Sequence, residues 1–151
     1  MKISPEEIQR RMNHFKDVLK HSGVKLTHQR IEIFREVAGS GDHPDAETIF
    51  KAVRKKLPTV SFDTIYRTLW MLIDLNLIKT LGQARERVKF DANIHHHHHF
   101  ICTRCGKVCD FYSQELDKLK VPDNIKKLGK VERIRVEVKG LCVDCAKKKG
   151  K

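Results

Sequence analysis

The sequence predicts an α+β chain in two parts: a helical N-terminal domain that ends in a β-hairpin, then a small α/β domain closed by paired cysteines. Three observations predict it. Four apolar runs at helical spacing fill residues 4 to 74, and the pattern then changes to short alternating segments. Two C-x-x-C pairs, Cys102 with Cys105 and Cys142 with Cys145, bracket the last third of the chain.

The first helix is announced by Ser4 at the cap, Pro5 at the first helical position and Glu7 at the third, the pattern of a capping box. Ile8, Met12, Phe15 and Leu19 follow at helical spacing, and Gly23 stops the run. Thr27 opens a second helix with apolar positions Ile31, Phe34, Val37 and Ala38, running to Gly39-Ser-Gly41. Asp45 caps a third, with Ile49, Phe50 and Val53 inward and Pro58 marking its end. Ser61 caps a fourth that carries Ile65, Leu69, Leu72 and Ile73. Residues 78–81 and 87–90 then read as two strands around the polar turn at 82–86. Helices followed by such a hairpin make the layout of a winged helix-turn-helix, with the fourth helix for recognition and the hairpin as wing.

If the apolar stripe of the fourth helix faces the core, Ser61, Asp63, Thr64, Arg67 and Thr68 face outward and Tyr66 lies at the boundary. Arg67 suits a guanine edge or a phosphate, and Ser61, Thr64 and Tyr66 suit phosphate oxygens. A solvated helix face is the plain alternative, and the charge of the chain weighs against it. Its 31 basic and 19 acidic residues give +12, or about +10 once four thiolates and one Zn²⁺ are counted. Residues 1 to 91 hold 17 basic and 12 acidic residues, so the excess is not only the Lys-rich C-terminus. A polyanion, with double-stranded DNA foremost, is the expected partner.

No apolar run approaches the ~20 residues of a membrane span, and the N-terminus has no signal-peptide h-region. A cytoplasmic protein without a membrane partner is expected. In a reducing compartment, C-x-x-C pairs hold metal more often than they form structural disulfides.

Residues 1–91 are the expected DNA-binding domain, 92–94 a hinge and 95–151 the second domain. That domain reads as a strand at His97 to Cys102, a knuckle at Cys102-Thr-Arg-Cys-Gly106 and a strand at Val108 to Tyr112. A helix capped by Ser113 should contain Leu116 and Leu119, and Val131 to Val138 alternates like a half-buried strand. Cys102, Cys105, Cys142 and Cys145 suit a closed tetrahedral Zn²⁺ site, one per subunit, with no position left for substrate. Cys109 reads as a small core residue. Five consecutive histidines, His95 to His99, exceed what that ion can use and imply a second metal site. His97 and His99 alternate along a strand and so share a face.

The ordered pieces Gly23-Val-Lys-Leu-Thr-His-Gln-Arg30, His43-Pro-Asp-Ala-Glu-Thr-Ile-Phe50, Thr64-Ile-Tyr-Arg-Thr-Leu69, His97-His-His-Phe-Ile-Cys-Thr-Arg-Cys-Gly-Lys107 and Gly140-Leu-Cys-Val-Asp-Cys145 span nearly the whole chain. In this order and spacing the sequence resembles the ferric uptake regulator family of bacterial metal-dependent repressors. The resemblance implies a homodimer on a palindromic operator, and the expected DNA contacts are Arg30, Ser61, Thr64, Tyr66 and Arg67. It also implies one regulatory ion per subunit, held by His43, Asp91, His97, His99 and Asp110. That imidazole and carboxylate set suits Fe²⁺ or Mn²⁺, whereas the thiolates select Zn²⁺. Aspartate at both 91 and 110 resembles the peroxide-sensing branch, in which Fe²⁺ and H₂O₂ would oxidise His43 or His97. The Tyr66-Arg67 pair resembles iron-uptake regulators, and Asp63 stands where the family usually has a small residue. No histidine follows His99, so an additional site built with a histidine of the C-terminal strand is expected to be missing; Arg133 and Ile134 occupy that region. An enzyme is not expected: H-x-E and H-E-x-x-H are absent, and a Cys₄ site is closed. A zinc-binding interaction module is the remaining alternative, and it would bind ions without metal-dependent affinity for DNA.

Overall fold

The computed structural model describes residues 2–82 and 88–148. The chain divides into two compact units, Met1–Ile94 and His95–Lys151. No helix among the described residues is long and apolar enough to cross a membrane.

Unit 1 contains α1 (Pro5–Ser22), α2 (His28–Gly39), α3 (Ala46–Lys56), α4 (Phe62–Asp74), β1 (Lys79–Leu81) and β2 (Lys89–Asp91). Each helix starts where a side-chain oxygen can take one of the orphaned first-turn amides: Ser4 accepts from Glu7, Thr27 from Arg30, Asp45 from Thr48 and Ser61 from Thr64. Such a cap is worth about 1 kcal/mol. The Glu7 carboxylate is engaged by Arg10 and Arg11. Gly23 ends α1 at φ 71°, which a residue without Cβ adopts freely.

The inward faces of all four helices meet in one core. Phe15 stacks on Phe34 with ring centroids 4.5 Å apart, and Ile33, Ile49, Ile65, Leu69 and Leu72 are fully buried around them. Ile31, Phe50 and Ile73 pack against this core only partly buried, so the stripes turn slightly from the predicted ones. Thr68, expected to face outward, is buried: it sits one turn from Ile65 and Leu72 on the inward side of α4. Two strands complete the unit, β1 running antiparallel to β2 with Thr80 opposite Phe90. This is the winged helix-turn-helix layout, with α3 and α4 as the two helices of the motif. Most of the expected polar turn at 82–86, together with Arg87, lies outside the described residues.

Unit 2 contains β3 (His98–Cys102), β4 (Val108–Phe111), α5 (Gln114–Asp117), α6 (Asp123–Lys126), β5 (Glu137–Gly140) and α7 (Val143–Lys147). β3 is the central strand, antiparallel to β4 and parallel to β5. The predicted helix after Ser113 is a single turn. Leu119 lies beyond it and is exposed, because Pro122 disfavours helical backbone at the residue before it. The predicted strand at Val131 to Val138 is replaced by β5 four residues long. Its register starts at His99 opposite Glu137, the end of β3 leaves residues 131–135 without a partner strand, and the Val136 amide donates to His98 Nδ1.

Candidate metal centres

The two C-x-x-C pairs come together. One sulfur from each of Cys102, Cys105, Cys142 and Cys145 lies within 4.8 Å of the other three, and Cys105 Sγ is 3.8 Å from Cys142 Sγ. For Zn–S bonds of about 2.3 Å, a tetrahedron has edges of about 3.8 Å, so the donors fit zinc. The knuckle after β3 and the N-terminus of α7 carry the pairs, and Arg104 Nη1 donates to the Cys145 carbonyl across them at 3.1 Å. Backbone amides prepare the first thiolate: donors at Cys105 and then Cys142 hold the Cys102 thiol down to about 6. Its neighbour responds oppositely. Hydrogen bonding with Cys142, together with burial, pushes the Cys145 thiol up to about 12. Four thiolates this close need a dication among them.

In unit 2 a second group of donors faces one side of the β3–β4 pair. His99 stands directly across from Asp110, and His97 lies two residues upstream on the same side. The atoms converge: His97 Nε2 to His99 Nε2 is 3.1 Å, His99 Nε2 to Asp110 Oδ1 is 3.2 Å, and His97 Nε2 to Asp110 Oδ1 is 3.5 Å. Bonds of about 2.1 Å to one ion put neighbouring ligand atoms about 3.0 to 3.4 Å apart; the two separations from His99 fall in that range and the third, 3.5 Å, just beyond it. His97 Nδ1 is 2.6 Å from the His95 carbonyl, to which only a protonated nitrogen can donate. That hydrogen bond fixes the ring with Nε2 turned toward His99 and Asp110.

In unit 1 His43 and Asp91 form a pair of their own, with Nε2 and Oδ2 3.6 Å apart and both residues buried. The backbone brings them together: the Phe90 amide donates to the Pro44 carbonyl at 3.0 Å, and Asp45 bridges to Lys89. His43 sits at φ 52°, in the left-handed region that non-glycine residues enter at a cost of order 1–3 kcal/mol. The Asn93 amide donates to Asp91 Oδ1 at 2.8 Å, leaving Oδ2 turned to the histidine.

A third group is not one that the sequence assembles. His96, His98 and Asp117 offer donors within 4.8 Å of one another, with Asp117 Oδ1 3.1 Å from His96 Nε2 and 2.9 Å from His98 Nε2. The C-terminal strand supplies no histidine to this group, whose donors come from the start of β3 and the end of α5. Arg133 and Ile134 line a cavity of about 290 Å³ beside them. The available signal is the alternation itself, since His96 and His98 must face away from His97 and His99. Asp117 is reached only through the fold. Cys109 is half-buried in β4 opposite Phe100 and belongs to none of these groups.

The expected DNA contacts lie on unit 1. Ser61 Oγ and Thr64 Oγ1 are 2.9 Å apart at the start of α4, Tyr66 is 43% exposed, and Arg67 Nε pairs with Asp63 Oδ2 at 2.9 Å. Arg30 is half-buried, its guanidinium donating to the Lys25 carbonyl. Trp70, one turn beyond Tyr66 and Arg67, is 56% exposed and is a residue that the sequence does not single out.

Residues 21–139 match the model of the Ferric uptake regulator family. The chain is similar to the Peroxide-responsive repressor PerR of Staphylococcus epidermidis, 35% identical over 84% of this chain and 85% of that protein. Its fold is similar to that of the Helicobacter pylori ferric uptake regulator Fur, with TM-score 0.72 at 24% identity over 97% of both chains. It is also similar to a zinc-bound manganese uptake regulator, with TM-score 0.66 at 27% identity over 85% of this chain and 98% of that one. The chain therefore belongs to the ferric uptake regulator family, a family of metal-dependent transcriptional regulators and not of enzymes.

Proposed function

We propose that this regulator is a homodimeric repressor of a palindromic operator, activated by one Fe²⁺ or Mn²⁺ per subunit and inactivated by peroxide when the ion is Fe²⁺. The observation that carries the reading is the pair of incomplete donor sets. Unit 2 offers His97, His99 and Asp110, three ligands; unit 1 offers His43 and Asp91, two more of the same hard-to-intermediate chemistry. Together they make a five-ligand set for one ion, and a shared ion would tie the DNA-reading unit to its neighbour. Residues 1–91 are then the DNA-binding domain, 92–94 the hinge and 95–151 the dimerisation and metal domain. Without the ion the two units sample more arrangements, so metal raises operator affinity by shifting a population and touches no base.

Fe²⁺ held by these residues would supply the chemistry that splits the O–O bond of H₂O₂, one oxygen ending on an imidazole ligand and the other leaving as water, which Mn²⁺ would not supply. The protein's part is to present the imidazole. His97 is held by its Nδ1 bond to the His95 carbonyl, and His43 is held by the backbone ties to β2. An oxygen added to either ring would spoil it as a ligand, and with the metal set broken the operator would be released. Relatives named as peroxide-responsive repressors support this branch over iron regulation without peroxide sensing, which the Tyr66-Arg67 pair favours. Exposed Leu119, Ile125 and Leu128 in unit 2, with β5 at a sheet edge, supply the apolar surface a second copy would cover.

The test is operator binding by zinc-loaded protein with Fe²⁺ or Mn²⁺, before and after brief H₂O₂, with mass spectrometry of the peptides holding His43 and His97. Loss of binding with a gain of one oxygen, about 16 Da, on a ligand histidine only with Fe²⁺ is expected. Metal-dependent binding that survives peroxide would leave an iron regulator. Binding indifferent to metal would end the sensor reading.

On the DNA-facing side, the Asp63–Arg67 pair competes with the groove for the guanidinium and places a carboxylate near phosphate. An exposed pair of this kind contributes at most about 1 kcal/mol to the fold. Asp63→Asn is therefore expected to leave stability nearly unchanged and to tighten operator binding by about threefold to tenfold, read by titration at fixed salt. Equal or weaker binding would mean that Asp63 helps α4 at its N-terminus more than it hinders the groove.

A further inference from the structure

The two units treat their charges differently. In unit 1 several carboxylates pair with cations: Glu7 with Arg10 and Arg11, Glu32 with Arg35 and with Lys56 of α3, Glu47 with Lys51, and Asp63 with Arg67. Unit 2 has too few carboxylates to do the same. It holds 14 basic and 7 acidic residues, +7 in 57 residues, against +5 in residues 1–91.

The excess is concentrated between residues 118 and 139. That stretch carries eight cations and three carboxylates, and all eight cations are exposed. Lys126 pairs with Asp123 at 3.6 Å; Lys118, Lys120, Lys127, Lys130, Arg133, Arg135 and Lys139 have no carboxylate partner among the described residues. Seven unmatched cations, six on the connection between β4 and β5 and Lys139 on β5 itself, repel one another, which disfavours the folded unit unless an anion answers them. The apolar side chains interleaved with them do not answer charge, and in a dimer they would bring two such runs side by side.

We propose that the 118–139 connection of unit 2 is a second polyanion-binding surface, occupied by the phosphate backbone of duplex DNA flanking the operator. This rests on the DNA-binding reading above and adds to it. The connection suits a phosphate backbone better than a lipid surface. Its helix α6 is a single turn without the length to lay an apolar face into a bilayer, and the stretch contains no Trp, Tyr or Phe to anchor at an interface. Duplex DNA, in contrast, presents a charge every ~1.7 Å and accepts cations in any order. Once unit 1 is docked, flanking phosphates are present at high local concentration, so weak ion pairs add affinity without reading sequence.

The experiment compares the metal-loaded full-length protein with a variant combining Lys118→Gln, Lys120→Gln, Lys127→Gln and Lys130→Gln. Each is titrated across a range of salt concentrations on a duplex limited to the operator and on one with about two helical turns added on each side. A control with the same four lysines changed to Arg keeps the charge. On the long duplex, the slope of log affinity against log salt is expected to fall by up to about 0.9 for each phosphate that the Gln variant no longer neutralises. The Arg variant should keep the wild-type slope, and the short duplex should show a smaller difference. Unchanged zinc content and dimer mass separate this result from a folding defect. A Gln variant with the wild-type slope on the long duplex overturns the proposal, as does wild-type binding to phosphatidylserine vesicles or to an acidic protein accompanied by no slope change. Metal-independent operator binding by the wild type would instead sink the repressor reading, while slopes on a non-operator duplex would still decide the surface.

Discussion

Stripping zinc from the reduced protein with a strong chelator, or replacing Cys142 and Cys145 with Ser, is expected to abolish the fold of unit 2 and with it the dimer. The reason is where the core lies. Every residue of the main apolar cluster, from Met12 to Ala92, belongs to unit 1. Among the described residues of unit 2 the buried apolar ones are Cys102, Val108 and Cys145, and two of those three belong to the four-thiol group that fits zinc. A unit of this size with so little apolar burial cannot offset the chain entropy of ordering it. Structural zinc supplies an apparent ~10–16 kcal/mol at neutral pH, more than the whole stability of a typical small domain. Calorimetry of the chelated protein should therefore lose one transition and keep the one that belongs to the helical core. Sedimentation should show monomers, and metal-dependent operator binding should vanish. A chelated dimer that keeps both transitions would show that unit 2 has another source of stability.

The same contrast explains how far sequence reading reaches. Unit 1 is legible because its signals are local: a capping oxygen three residues before each amide it satisfies, and apolar residues at helical spacing facing one core. The misplaced residues lie at the rim of each stripe, where Thr68 turns inward and Ile73 stays half exposed. Unit 2 lacks such a stripe, so the lengths of α5 and β5 follow from what β3 can pair with and from two cysteine knuckles 40 residues apart. The shared face of His97 and His99 is readable from a period of two. That Asp110 stands opposite His99 depends on strand register, and that Asp117 meets His98 depends on a connection with no periodic signal. In both units, donors brought together across strands are the least visible part.

Removing His43 and removing His99 should have different consequences, because the donor sets are unequal. His99→Ala takes the residue closest to both His97 and Asp110 out of the three-ligand group, so Mn²⁺ binding and Mn²⁺-dependent operator binding should fall together. His43→Ala leaves His97, His99 and Asp110 intact. If one ion is shared as proposed, it should keep Mn²⁺ binding, weakened about 10- to 100-fold, yet lose most of the stimulation of operator affinity, because Asp91 alone would be left to couple unit 1 to the ion. Reciprocity makes the distinction sharp. In the wild type, operator DNA must tighten Mn²⁺ by the same factor by which Mn²⁺ tightens operator, for typical couplings about 5- to 150-fold. In His43→Ala both factors should approach one while Mn²⁺ still binds, measured by calorimetry with and without operator. A His43→Ala protein whose operator binding still rises with Mn²⁺ as in the wild type would show that the ion acts through unit 2 alone.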